Sequence, residues 1–305
     1  MPAYTFHQLD VFTTTPLTGN PLAVFPDARG LAPATMQALA REMNLSETTF
    51  VFPSTAATRQ VRFFTPAAEI PLAGHPTIGT WWLLAELGLL DGLPSDGPGT
   101  CTQDTGRGVL PIAITLAGGR PTRVEMTQAA PEWGPVVKDQ AVLARAVGGD
   151  AQLIPEAPRP QVVSTALPQL MAPVQSREAL AALPTGGTGS DLAGFLRALG
   201  TDCAMLYAPA DSPDLTAHCR MFAPGLGVPE DPATGSAAGA LGAYLVRYGV
   251  VAPRDGEARM TFEQGIEIGR PSRIDVRVLT EDNGGITSVL VGGAAVRVIS
   301  GEVQL

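Results

Sequence analysis

Residues 62–88 read RFFTPAAEIPLAGHPTIGTWWLLAELG, and residues 220–249 read RMFAPGLGVPEDPATGSAAGALGAYLVRYG. Arg62, Phe64 and Pro66 recur as Arg220, Phe222 and Pro224, a shift of 158 (220 − 62). After three extra residues Gly74-His75 lines up with Gly235-Ser236, a shift of 161 (235 − 74). Each copy predicts a strand, an ordered loop and a helix. A unit repeated at near half the chain length predicts two similar halves facing a shared gap, where chemistry is to be sought.

The first helix, expected from about Pro76 to Leu87, carries Ile78, Trp81, Trp82, Leu83, Leu84 and Leu87 with Glu86 as its only charge. The second, expected over 236–248, carries Leu241, Tyr244, Leu245 and Tyr248 with Arg247 alone charged. Helices apolar on nearly every side are buried ones. In a chain otherwise rich in strands this suggests an α+β fold of two sheets, each wrapped around its own central helix, although periodicity by itself requires only that both helices be covered.

Bulk properties agree with that reading. The 305 residues suffice for one large domain or two of about 150. With 34 Gly and 28 Pro, many turns between short strands are expected. A net charge of −9 without any Lys/Arg-rich run argues against a nucleic-acid or membrane-surface partner. Cys101, Cys203 and Cys219 are scattered, form no C-x-x-C, and fit a reducing compartment. The opening MPAYTFHQLDVF lacks the features of a signal peptide, and no apolar run reaches membrane-spanning length. A cytoplasmic protein is expected.

Outward from the repeats, strands are expected at TFHQLDVF, PLAVF, TTFVF and RQVRFFT, with a helix over 31–43 between the second and third. Residues 91–108 read as a Gly/Pro/Ser/Asp loop, and GVLPIAITLAG and TRVEMTQ as strands. A boundary falls near 129–137, where prolines interrupt the pattern. The second half predicts a helix at 139–147, strands near QLIPEA, PQVVSTAL and LMAPV, and a helix at 191–199 capped by Ser190. Strands CAMLYAP and LTAHCRMFA lead into the second repeat. EARMTFEQGIEIG, SRIDVRVL and ITSVLVGGAAVRVIS close the chain as strands.

Candidate reactive residues cluster at the two helix starts. A helix's first turn leaves backbone N–H groups without intrahelical partners, and its dipole adds positive potential. Gly74 and Gly235 either admit an anion close to that backbone or simply make room for tight turns. His75, in the first turn, either donates to a substrate or relays a proton near neutral pH, or is a capping or core-satisfied histidine. Asp231 is biased to an extended conformation by Pro232 and either serves the site or caps and organises its loop. Glu47, between a helix end and a strand, is an exposed strand-end carboxylate unless it faces the gap, where burial would raise it into the range of a general base. His218-Cys219 read as core residues. GTGSDLAG at 187–194 has no strand-to-helix context for a dinucleotide fingerprint, and no metal triad, P-loop or nucleophile elbow is evident.

LTGNPLAVF (17–25), NLSETTFV (44–51), FFTPAAEIPLAGHPTIGT (63–80), VVSTALPQLMAPV (162–174) and EDPATGSAAGALGAYL (230–245) together resemble the phenazine-biosynthesis isomerase (PhzF) family across nearly the whole chain. The resemblance implies a diaminopimelate-epimerase-like fold of two pseudo-symmetric halves, with the active site between them. Residues 1–130, alone or completed by the last strand at about 295–305, would form the first half and 131–294 the second. It implies no metal or organic cofactor, a small-molecule carboxylate substrate, and a homodimer. It places the acid–base carboxylate at Glu47, the proton-handling and substrate-contacting set at His75, Asp231 and Ser236, and the helix-mouth glycines at Gly74 and Gly235. Related racemases use a cysteine at each mouth; here Ala73 and Thr234 stand at those positions, which argues against a two-thiol mechanism. The expected activity is a cofactor-independent isomerase moving a proton between carbons of an unsaturated or cyclic acid. Alternatives are a non-catalytic carboxylate-binding protein, or an epimerase with non-thiol bases.

Overall fold

The computed structural model describes residues 2–185 and 191–305. The chain divides into two compact units, Met1–Thr127 with Gly292–Leu305, and Gln128–Val291.

In the first unit β1 (Ala3–Val11), β2 (Asn20–Phe25), α1 (Pro33–Met43), β3 (Glu47–Phe52), β4 (Arg59–Phe64), β5 (Glu69–Ile70), α2 (Gly74–Glu86), β6 (Gly97–Thr105), β7 (Gly108–Ala117) and β8 (Arg120–Gln128, its last residue in the second unit) follow one another. Neighbouring strands pair antiparallel except β2 with β3 and β4 with β6, which are parallel. The sheet curls around α2, which touches β1, β2, β3 and β7. Ten of its thirteen residues are buried, as an all-round apolar helix requires. The outer face is covered by α1. Its Met36, Leu39 and Ala40 pack against Phe25, Phe50 and Phe64, with the Phe25 and Phe50 rings stacked at 4.9 Å.

The second unit runs β9 (Glu132–Val136), α3 (Gln140–Ala146), β10 (Gln161–Ser164), β11 (Pro168–Pro173), α4 (Arg177–Ala181), α5 (Leu192–Ala198), β12 (Ala204–Pro209), β13 (Ala217–Ala223), β14 (Val228–Asp231), α6 (Gly235–Arg247), β15 (Glu257–Gln264), β16 (Ser272–Thr280) and β17 (Ile286–Gly293), whose end reaches the first unit. Its pairing order repeats the first unit's, with β11–β12 and β13–β15 as the parallel pairs. Here the sheet curls around α6, and α3, α4 and α5 cover the outer face through Leu143, Leu180, Leu192 and Leu196. β18 (Ala295–Gln304) then returns to the first unit and pairs antiparallel with β1. Among the described residues no helix is long and apolar enough to cross a membrane.

Several expectations need correction. The loop expected over 91–108 contains β6, a strand whose alternate side chains Cys101 and Gln103 are buried although most of its residues are small or polar. Gln103 accepts a hydrogen bond of 2.9 Å from the buried Trp81 indole, so a polar residue serves as core. QLIPEA forms turns rather than a strand. α4 was not foreseen; it is a single short turn capped by Ser176 through the Ala179 N–H. ITSVLVGGAAVRVIS is two strands rather than one. Ser190, the expected cap of α5, lies outside the described residues.

Both central helices need a glycine where a strand crosses. A Cβ on Gly79 would sit 2.6 Å from Leu22 Cδ2 and 2.6 Å from Val11 Cγ2, and one on Gly242 would sit 2.6 Å from Val276 Cγ1. Overpacking such a site costs about 1–3 kcal/mol. Gly79→Val is therefore expected to lower the unfolding free energy by that amount, read in urea titration as a lower midpoint with an unchanged slope.

Candidate active site

The amino end of α2 gathers the titratable groups of the first unit. Ala73, extended at φ −141° and ψ 146°, gives the helix no side-chain cap, and the helix dipole puts positive potential at this end. Gly74 adds no bulk there, and Pro76 lacks an N–H that would have had no helical partner. The Thr77 hydroxyl turns back to the Ala73 carbonyl at 2.7 Å. His75 is buried, and its Nε2 lies 3.4 Å from Glu47 Oε2.

Glu47 reaches that point because it is the first residue of β3, in register with Leu22 on β2. Burial pushes its carboxyl above the ordinary carboxylate range, and a hydrogen bond from Ser46 opposes the rise without cancelling it. Among the described residues Glu47 Oε2 has no hydrogen-bond partner. Folding alone gives no reason to bury a carboxylate oxygen in this way. The Ser46 hydroxyl also lies 3.4 Å from Asn20 Oδ1, and both residues escaped the sequence reading, although Ser46 adjoins Glu47 in the quoted motif.

At the amino end of α6 the second unit presents different chemistry. Asp231, the last residue of β14, accepts a hydrogen bond from the Thr234 hydroxyl, so it organises the loop as one of its two readings required. Gln264, fully buried on β15, donates to the Asp231 carbonyl at 2.6 Å and accepts from the Thr234 N–H at 3.2 Å. Ser272 donates to the Pro232 carbonyl at 2.9 Å. Ser236 Oγ accepts from Gln169 Nε2 at 3.0 Å. No local pattern in the sequence pointed to Gln264 or Gln169, because each acts from a strand far away along the chain.

Matched ladders show how the two mouths diverged. In the first unit Thr48 faces Phe64 and Phe50 faces Arg62; in the second Ala204 faces Phe222 and Leu206 faces Arg220. Aligning those pairs puts Cys203 at the counterpart of Glu47. Burial, with lesser contributions from Asp202 and Asp231, pushes the Cys203 thiol up to about 12. It is therefore neutral near pH 7, and the position that carries a carboxylate in one unit carries no usable base in the other.

His218 and Cys219 are buried on β13, as expected of core residues. His218 Nδ1 lies 3.1 Å from Glu263 Oε2 and Nε2 lies 2.7 Å from Glu267 Oε1. Arg177 extends the chain of charges from Glu263, and Arg220 approaches Glu267 at 3.9 Å. Burial alone would raise Glu267, but the hydrogen bond and charge of His218 outweigh it and hold the carboxyl below its usual range.

A mostly antiparallel sheet curled around one buried helix, built twice, is an epimerase-like fold. Comparison with known proteins narrows the class. Residues 9–301 match the PhzC-PhzF family of phenazine biosynthesis-like proteins, and the chain belongs to that family. An uncharacterized isomerase of Clostridium acetobutylicum is 33% identical over 99% of this chain and 98% of its own. The trans-2,3-dihydro-3-hydroxyanthranilate isomerase of Pseudomonas aeruginosa is 35% identical over 88% of each. The crystal structure of a Bacillus anthracis phenazine biosynthesis protein of the PhzF family superposes with a TM-score of 0.88 at 28% identity, covering 100% of both chains. The protein is an isomerase.

Proposed function

We propose that the chain moves a proton between two carbons of a small unsaturated or cyclic carboxylate, with Glu47 as the single acid–base group. The carboxylate of Glu47 takes a proton from a C–H bond, and the electron pair left behind spreads into the adjoining unsaturation. The same carboxyl, now protonated, returns the proton at a second carbon. The resemblance assigns substrate binding to Gly74 and to Gly235 and Ser236, each at a helix start whose N–H groups suit an anion and developing negative charge. His75 and Asp231 position polar groups of the substrate and assist the proton. No step needs a metal or organic coenzyme.

One observation carries this reading: a buried carboxylate oxygen without a hydrogen-bond partner among the described residues, 3.4 Å from an imidazole in the first turn of a helix. The neutral thiol at the matching position of the second unit favours one base over two. Three relatives are named for trans-2,3-dihydro-3-hydroxyanthranilate, which makes that compound the first substrate to try. The homodimer implied by the resemblance is part of the same reading, and its mass is measurable by sedimentation.

The test is proton NMR of candidate acids in deuterium oxide. Turnover with deuterium entering at carbon is expected, and saturable binding without exchange would mean a binding protein. Because the base works only when ionised, kcat/KM should rise with pH through an inflection above the ordinary carboxylate range, the direction in which burial moves Glu47.

A further inference from the structure

We infer that Gln169 is a positioning residue for substrate binding, fixing the Ser236 hydroxyl as an outward hydrogen-bond donor. This rests on the reading of Ser236 as a substrate-binding group. Gln169 is 1% exposed on β11, and its Nε2 donates to Ser236 Oγ at 3.0 Å. A hydroxyl has one proton and two lone pairs. With a lone pair engaged by the amide, the proton is turned away from Gln169 and offered to an acceptor on the other side. For an anionic substrate that is the useful orientation, and it is set before the substrate arrives.

Three further observations separate this from ordinary packing. The ladder alignment that matches Ala23–Thr48 with Leu170–Ala204 makes Leu22 the first unit's equivalent of Gln169, and Leu22 is a fully buried aliphatic residue. The fold thus accepts a hydrocarbon at this site, and the second unit carries an amide instead. Gln169 Oε1 is buried without a hydrogen-bond partner among the described residues, a cost that leucine would avoid. The turn bearing Ser236 is itself held: Gln128 Nε2 donates to the Gly235 carbonyl at 2.9 Å, and the Thr165 hydroxyl donates to Gln128 Oε1 at 2.6 Å and approaches the Ser236 carbonyl at 3.3 Å. With the backbone fixed, rotation of the Ser236 side chain is the freedom left for Gln169 to remove.

The experiment uses the full chain as wild type, Q169L, Q169E, S236A and Q169L/S236A. Crystal structures of wild type and Q169L give a readout that needs no ligand. Ser236 should hold one rotamer in the first and shift or split in the second; an unchanged single rotamer overturns the inference. Kinetics with trans-2,3-dihydro-3-hydroxyanthranilate give the other readout. Q169L should raise KM about tenfold with kcat little changed, the size expected for a hydrogen bond to a charged group. Q169E, which accepts the Ser236 proton and adds negative charge, should raise KM further. S236A and the double variant should then match one another. An equal further loss from Q169L in the S236A background shows a role independent of Ser236 and overturns the inference. Wild-type KM in S236A instead sinks the substrate-binding reading of Ser236, and the inference with it.

Discussion

Glu47→Gln should lose about 10³-fold in turnover, the middle of the range for removing a general acid–base group, while folding as wild type. The same variant should be more stable than wild type near neutral pH. Burial raises the folded-state value of Glu47, so between its ordinary and its raised value the folded protein holds a proton that the unfolded chain releases. Stability is therefore lost as pH rises through that window, and is not regained above it. A neutral amide avoids the loss. Thermal melts of the two proteins should coincide at low pH and separate above the carboxylate range, with Glu47→Gln melting higher. Retained turnover, or a lower melting temperature at neutral pH, would remove Glu47 from its role.

The second large effect concerns the two arginines of the repeat. Arg62 crosses from β4 to Glu69 with Nη2–Oε2 at 2.7 Å, and Arg220 crosses from β13 to Glu230 with the same pair of atoms at 2.7 Å. Each guanidinium also lies over a phenylalanine two residues on, at 5.4 Å for Phe64 and 5.0 Å for Phe222. Burial distinguishes them: the side chains are 26% and 42% exposed in the first pair and 1% each in the second. Glu69→Ala should cost about 0–1 kcal/mol, as exposed pairs do. Glu230→Ala should cost about 3–5 kcal/mol, because Arg220 would stay buried with the Leu180 and Leu183 carbonyls but no carboxylate within hydrogen-bond reach. Urea titrations of the two single variants check the contrast. Equal effects would show that distance, and not desolvation, sets the strength of the pair.

The repeat that shows this contrast was readable in the chain, and so was much of the architecture. Thirteen-residue helices with one charge apiece could only be central. β3 and β4 followed from β-branched and aromatic runs. The glutamates of the ion pairs were also within reach, since Glu69 and Glu230 stand five residues before Gly74 and Gly235. What stayed hidden has a common cause. β6 is a strand by virtue of its partners, not of its residues, which are glycine, threonine and other polar types. Gln169 and Gln264 matter through single side-chain bonds to a loop that is distant in sequence. The meeting of Glu47 with His75 was named only through family resemblance, because proximity across 28 residues (75 − 47) leaves no local pattern.

The crossing of β18 into the first unit bears on synthesis from the ribosome. β1 has β2 on one side and β18 on the other, with Ala3 to Val11 spanned by Gln304 to Ala295. The whole of Gln128–Val291 must be translated before that flank of β1 can be covered. The nascent amino-terminal unit thus carries an open strand edge through most of elongation, a template for mispairing with other chains. The second unit is continuous in the chain and has no such wait. Vectorial folding should therefore close the carboxyl-terminal unit first and seal the amino-terminal one last.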